Sequence, residues 1–187
     1  MTRKIIGCGI LRHELDYITR GKDVDIVYLD PALHTDIDKL ERALVNTIDS
    51  TQERDVPLII GTHCHPDMEK LAADRGLKLV QSQNCIEMFL GDKLNQLNSE
   101  GFNFYMTIGW LENWRNIFIE AMKWDSIDAR QNFGLYDRII VLDTGLMPLD
   151  EEKIIEFYDY TQVAVEIMQV DLDKFKEIIS KVCEGVL

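Results

Sequence analysis

The apolar positions of this chain fall into two alternating kinds of segment. Short β-rich runs, several of them apolar nearly throughout, recur at Lys4 to Cys8, Val24 to Leu29, Leu58 to Thr62, Leu77 to Val80, Phe102 to Thr107, Arg138 to Asp143 and Val163 to Met168. Runs of this kind suit strands covered on both faces, as in a parallel sheet. Between them the spacing becomes helical. Ile37, Leu40, Leu44 and Ile48 share one face, with Thr35 predicted as the N-cap and Asp38 answering it in a capping box. The last helix is predicted from Asp171 as its cap, with Leu172, Phe175, Ile178, Ile179 and Val182 on one face and Gly185 at the C-terminal cap. Pro31, Pro57, Pro66 and Pro148 all lie at boundaries between these segments, where a missing N–H costs least.

Strands alternating with helices imply right-handed βαβ units. The expected fold is therefore α/β, a mostly parallel Rossmann-like sheet with helices on both faces and ligands at the carboxyl ends of the strands. A chain of 187 residues, 46% of them hydrophobic, can bury a core without disulfides, so one domain over residues 1–187 is expected. The polar run Asp125 to Asn132 marks a weak seam between two lobes near residues 125–134.

A net charge of −13, with no cluster of lysine and arginine, argues against a nucleic-acid partner. No stretch reaches the ~18 apolar residues of a membrane span, and the start lacks a secretory pattern, so a cytoplasmic protein without a membrane partner is expected. In a reducing compartment four cysteines point to buried, catalytic or metal-bound thiols before disulfides.

Three of those cysteines follow predicted strands. Cys8 lies in Gly7-Cys8-Gly9, Cys64 in Thr62-His63-Cys64-His65 and Cys85 in Ser82-Gln83-Asn84-Cys85. In a parallel sheet these turns share one edge, and Gly7 and Gly9 would let the backbone approach a ligand closely. Ser82 or Asn84 would cap the next helix and set Cys85 at its positive end, which favours a thiolate. Three thiolates suit zinc with a further ligand, and equally an iron–sulfur cluster. His65, His63 and His13 are the candidates for the further ligand. Cys183, late on the last helix, reads as a core residue.

His13 and Glu14 follow Cys8 by about a helical turn and are candidates for acid–base work. Thr107, Gly109 and Trp110 form a strand-to-helix turn whose hydroxyl, amides and indole would hold a small anionic or planar ligand. Trp110 and Trp114 also share a helical face with Ile117, Ala121 and Trp124, which suits the core or a homodimer contact. Gly7-x-Gly9 has the outline of a dinucleotide-binding turn, but Arg12 stands where close helix packing needs a small residue. Asp143-Thr144-Gly145 has the outline of an aspartic-protease motif, but in a single copy.

The segments Gly7 to Leu15, Asn84 to Gly91 and Met106 to Leu111 resemble an uncharacterised domain-of-unknown-function family over most of the chain. Its members are alike in a cysteine after the first strand, one in a glycine-containing turn, one opening a Cys-Ile-x-x-Leu-Leu-Gly helix, and a Thr-x-Gly-Trp segment. Cys8, Cys64, Cys85, Thr107, Gly109 and Trp110 match that pattern. Where the family reads Tyr-Gly-x-Cys-Gly, this chain has Gly61-Thr62-His63-Cys64-His65, which sets both histidines apart. The resemblance implies an association with corrinoid-dependent methyltransferase systems and no settled reaction.

The leading expectation is a metalloprotein with a Cys8/Cys64/Cys85 centre, zinc or iron–sulfur, in thiol, methyl-transfer or one-carbon metabolism. It would be an enzyme or an accessory, with a small-molecule substrate or a methyltransferase-system protein as partner. The alternatives are a metal-free binding or regulatory partner of a corrinoid methyltransferase system, and a reversible disulfide between two of the thiols.

Overall fold

Strands form at each predicted run in the computed structural model, which describes residues 2–51 and 53–186. They are β1 (Arg3–Cys8), β2 (Val24–Leu29), β3 (Pro57–Ile59), β4 (Lys78–Leu79), β5 (Asn103–Thr107), β6 (Arg138–Asp143) and β7 (Val165–Gln169). Every pairing between them is parallel, with helices following the strands. The α/β class is thus as expected. The strands divide, however, into two sheets, ordered β2-β1-β3-β4 and β5-β6-β7. The break falls where β4, two residues long, ends the first sheet and the chain enters two consecutive helices, α4 (Cys85–Leu90) and α5 (Lys93–Glu100).

The central strands of the two sheets, β1 and β6, are covered on both faces, while the edge strands β2 and β7 are partly exposed. Ile139, Ile140, Val141 and Leu142 of β6 are all buried, as are Ile5, Ile6 and Cys8 of β1, which accounts for their unbroken apolar runs. Helix α2 (Ile37–Thr51) buries Leu40, Leu44 and Ile48, the predicted stripe. Its cap differs from the prediction: Asp36 Oδ1 accepts from the Lys39 amide at 3.0 Å. The Thr35 hydroxyl instead donates to the Ala32 carbonyl at 2.8 Å, closing a 3-10 turn over Pro31–Thr35. Asp171 accepts from the Asp173 amide at the start of α9 (Asp173–Val182). Gly185 takes φ +79°, a conformation that favours glycine, just beyond the end of that helix.

Helix α9 returns the chain to the first sheet, where Phe175 stacks on Phe89 of α4 with ring centroids 4.9 Å apart. Burying one such ring contributes roughly 1.5–3 kcal/mol. In the second half, Trp114 packs on Phe157 and Tyr160, and Phe118 on Trp124 and Phe133. Trp114 thus belongs to the core. Residues 125–134, read as a seam, contain helix α7 (Ser126–Phe133), started by a capping box of Asp125 and Asp128 and anchored by Ala129 and Phe133. No helix among the described residues is long and apolar enough to cross a membrane.

Two helices at the sheet edges position the site. Helix α1 (Arg12–Ile18) follows β1 through a 3-10 turn, Gly9–Leu11. Helix α6 (Ile108–Trp114) follows β5 and runs directly into a π-helical stretch, Arg115–Ala121, which packs on the Pro31–Thr35 turn. Wide turns of this kind are frequent beside functional sites.

Candidate thiol site between the sheets

The carboxyl ends of both sheets face a common region, and glycines allow the approach. A Cβ on Gly109, in the first turn of α6, would stand 2.0 Å from the carbonyl oxygen of Ile10. A Cβ on Gly61 would stand 2.3 Å from the carbonyl oxygen of Gln83. Only glycine permits these contacts, which join the Cys8 turn to α6 and the Cys64 turn to the Cys85 turn. The latter two are also hydrogen-bonded, Thr62 N to Ser82 O and His63 N to Gln83 O, both at 2.9 Å. β3 stops at Ile59 instead of reaching Thr62, which opens a 3-10 turn over Thr62–Cys64. Gly9 lies against the Leu29 carbonyl and the Pro31 ring, and Gly7 under Leu15. In this structure both serve backbone and core packing.

The three thiols share this neighbourhood. Cys8 ends β1, and Cys64 and Cys85 follow β3 and β4, which are its neighbours in the first sheet, so the three cysteines lie toward the same end of that sheet. Burial is the main cause that drives Cys8 far above the ordinary thiol range, with repulsion from Cys85 and Cys64 adding and the Ile10 amide opposing. Burial likewise pushes Cys85 up to about 12, opposed by the Trp110 indole N–H and the amides of Cys85 and Ile86. Cys64 is raised by burial against the Gly61 backbone. Asn84 does cap α4, accepting from the amides of Ile86 and Glu87 at 3.0 Å. The expected thiolate at that helix start does not follow, because desolvation outweighs the short helix. Without a cation the thiols are protonated at neutral pH, and a coordinated metal ion would reverse that. Among the described residues no three His, Cys, Asp or Glu side chains stand in a geometry that could hold a metal ion.

A fourth polar group at the cluster is His34, which the sequence reading overlooked. Its Nε2 lies 3.8 Å from Cys8 Sγ, and its Nδ1 lies 3.0 Å from the Pro31 carbonyl oxygen. A carbonyl only accepts, so the proton sits on Nδ1 and Nε2 presents a lone pair to the sulfur. Burial lowers the His34 pKa, favouring this neutral form. Applying the strand-end rule to β2 would have found His34, five residues beyond Leu29. Trp110 borders the group, its ring centroid 6.3 Å from that of His34.

The remaining candidates are dispersed. His65 is buried, with Nδ1 accepting from the Asp67 amide at 3.0 Å and Nε2 3.9 Å from a Glu41 oxygen. His63 is exposed. His13 pairs with Glu112 of α6 at 2.6 Å. Glu14 is buried: one oxygen accepts from the Thr144 hydroxyl at 3.3 Å, and the other is buried without a partner. Burial raises the Glu14 pKa, against hydrogen bonding by its own backbone amide. Thr107 caps α6, its hydroxyl accepting from the Trp110 amide at 3.3 Å. Asp143 binds the Gly145 amide at 2.8 Å and the Gln169 amide group at 2.5 Å, a loop-shaping role.

By fold and site, the chain is an α/β protein of two parallel sheets in which Cys8, at the carboxyl end of β1, lies beside the imidazole of His34. Residues 28–179 match the family described as Protein of unknown function (DUF1638), and the chain belongs to that family. The matched span takes in His34, Cys64, Cys85, Thr107, Gly109 and Trp110, and begins after Cys8, His13 and Glu14. No curated protein and no solved structure matches the chain.

Proposed function

We propose that this chain is a metalloprotein in which Cys8, Cys64 and Cys85 hold a soft metal ion or an iron–sulfur cluster, acting in thiol or methyl-group transfer as an enzyme or an accessory to one. The observation that supports the proposal is the placement of three cysteines at the carboxyl ends of the neighbouring strands β1, β3 and β4, with the Cys64 and Cys85 turns joined where Gly61 lies on Gln83. Three sulfur donors suit zinc, and they suit a cluster with one iron not held by cysteine. Their mutual repulsion as thiolates is the electrostatic situation a cation relieves.

The acid–base candidates on the adjoining helices α1 and α6 are Glu14, which is buried, and the more accessible His13–Glu112 pair. The methyl-transfer setting comes from the family resemblance, and a protein of a corrinoid methyltransferase system is the proposed partner.

The test is metal and acid-labile sulfide analysis of protein purified without oxygen, with alanine variants at each cysteine. Stoichiometric metal lost in all three variants supports the proposal. Metal content unchanged in any one of them removes that cysteine from the centre.

A further inference from the structure

We infer that the cavity along the outer edge of β5 is a binding site for an uncharged, planar heteroaromatic ring, stacked on Phe102 and held by the side-chain amides of Asn84 and Asn98. Strand β5 ends the second sheet, so its outer edge has no strand beside it. A cavity of about 460 Å³ lies there, large enough for a small-molecule ligand. None of the described residues that line it is charged, although 28% of the chain is Asp, Glu, Lys or Arg. An ionic ligand would find no counter-charge in the cavity, so the site selects a neutral one.

Aromatic rings form its stacking surface. Phe102 stacks on Tyr136 with ring centroids 4.7 Å apart and planes within 13°. Tyr136 is braced in turn by Phe104, edge-on at 5.3 Å. The Phe102 amide donates to Asp137 Oδ2 at 2.8 Å, which fixes the backbone that carries the ring. Phe102 is nevertheless 59% exposed. A ring held on one face and still this open is a platform on which a second planar ring stacks.

The polar groups of the cavity are oriented too. Asn84 and Asn98 both line it, and each has its carboxamide oxygen engaged within the protein. Asn84 Oδ1 accepts from the amides of Ile86 and Glu87, and Asn98 Oδ1 accepts from the Tyr105 hydroxyl, all at 3.0 Å. Those bonds leave each NH2 group as a donor, and neither nitrogen has a protein acceptor among the described residues. Two oriented donors beside a stacking ring match the ring nitrogens and carbonyl oxygens at the rim of a heteroaromatic ligand. A hydrocarbon would strip water from both donors and return no hydrogen bond.

The experiment is a titration of the full chain with riboflavin and with adenosine, read by riboflavin fluorescence quenching and by ligand-observed NMR, with FMN and AMP as their phosphorylated counterparts. The expected result is one saturable site per chain for at least one of the two uncharged probes, with no gain in affinity from the phosphate. Phe102→Ala should weaken binding ~5- to ~150-fold, the usual worth of one base stacked on an aromatic side chain. Asn98→Asp keeps the acceptor for Tyr105 but loses the donor, and should weaken binding ~2- to ~10-fold. Exposed Ile127→Ala, on α7 and outside the cavity, should bind as the wild type does. Should Phe102→Ala not fold, Phe102→Leu, which keeps apolar bulk without a ring, takes its place with the same expectation. No saturable binding of either uncharged probe overturns the inference, as does wild-type affinity in Phe102→Ala or tighter binding of the phosphorylated probes. Self-association of the free chain that Phe102→Ala abolishes would make this edge a contact between copies, and also overturns it. Each of these outcomes leaves the cysteine reading as it stands.

Discussion

Glu14 and Thr144 meet across the junction of the two sheets, the threonine hydroxyl donating to one carboxylate oxygen at 3.3 Å while the other oxygen is buried with no partner. The pair links helix α1, which follows the first sheet's β1, to the end of β6 in the second. A carboxyl so placed is easier to bury as the neutral acid than as the anion.

That has a consequence for stability against pH. The Glu14 pKa is raised in the folded state, so the folded chain binds a proton that the unfolded chain releases. Its contribution is fully present below the unfolded carboxylate pKa and is lost as pH rises through the folded value. Glutamine keeps the shape without the charge, so the Tm gain of Glu14→Gln over wild type should grow as pH rises above the ordinary carboxylate range. A gain that stays flat as pH rises would remove Glu14 as the source.

Thiol labelling should follow burial. With Cys8 and Cys183 almost wholly buried, and burial pushing Cys183 up to about 12, both should resist iodoacetamide in the folded protein at mildly alkaline pH. Partly exposed Cys64 should react first. Peptide mapping against time checks the order, and early modification of Cys8 would contradict the buried site described above.

Gly109 to alanine should be costly. Its new Cβ would meet the Ile10 carbonyl, a backbone group that cannot swing away, so α6 must move. Overpacking of this kind costs typically about 1–3 kcal/mol, and more where backbone blocks it. Urea unfolding measures it, with exposed Ile127→Ala as a comparison expected within roughly 0.5 kcal/mol of wild type. Equal midpoints for the two variants would mean that the sheets tolerate separation at this point.

The start of α2 offers a test of which residue is its cap. Asp36→Ala should lower the Tm measurably, since it removes the side-chain acceptor of the Lys39 amide. Thr35→Ala removes a bond within the preceding turn and should cost less. Thermal unfolding of the two variants decides it, and the reverse order would reinstate Thr35.

The local elements were legible in the sequence because their causes are local. Buried parallel strands need apolar side chains on both faces, and helices need a periodic stripe, so β6 and α2 could be read directly. The cap was displaced by one residue because Thr35 had a competing backbone acceptor in Ala32, visible only once the Pro31–Thr35 turn exists. The placement of Cys8, Cys64 and Cys85 after neighbouring strands followed from counting strand ends, a rule that survives the division into two sheets because β1, β3 and β4 remain neighbours in the first.

What the chain determined by itself, then, was the set of strands and helices, the parallel class and the thiols at the strand ends. The tertiary structure alone decided that the strands form two sheets, that Gly109 lies on Ile10 and that His34, not a histidine adjacent to Cys64, faces Cys8. Those relationships join residues from about 25 to about 100 positions apart, and they depend on which backbones approach closely enough to touch. Periodicity reports the environment of each position along the chain, whereas pairing across the interior is set by packing, which no single segment encodes.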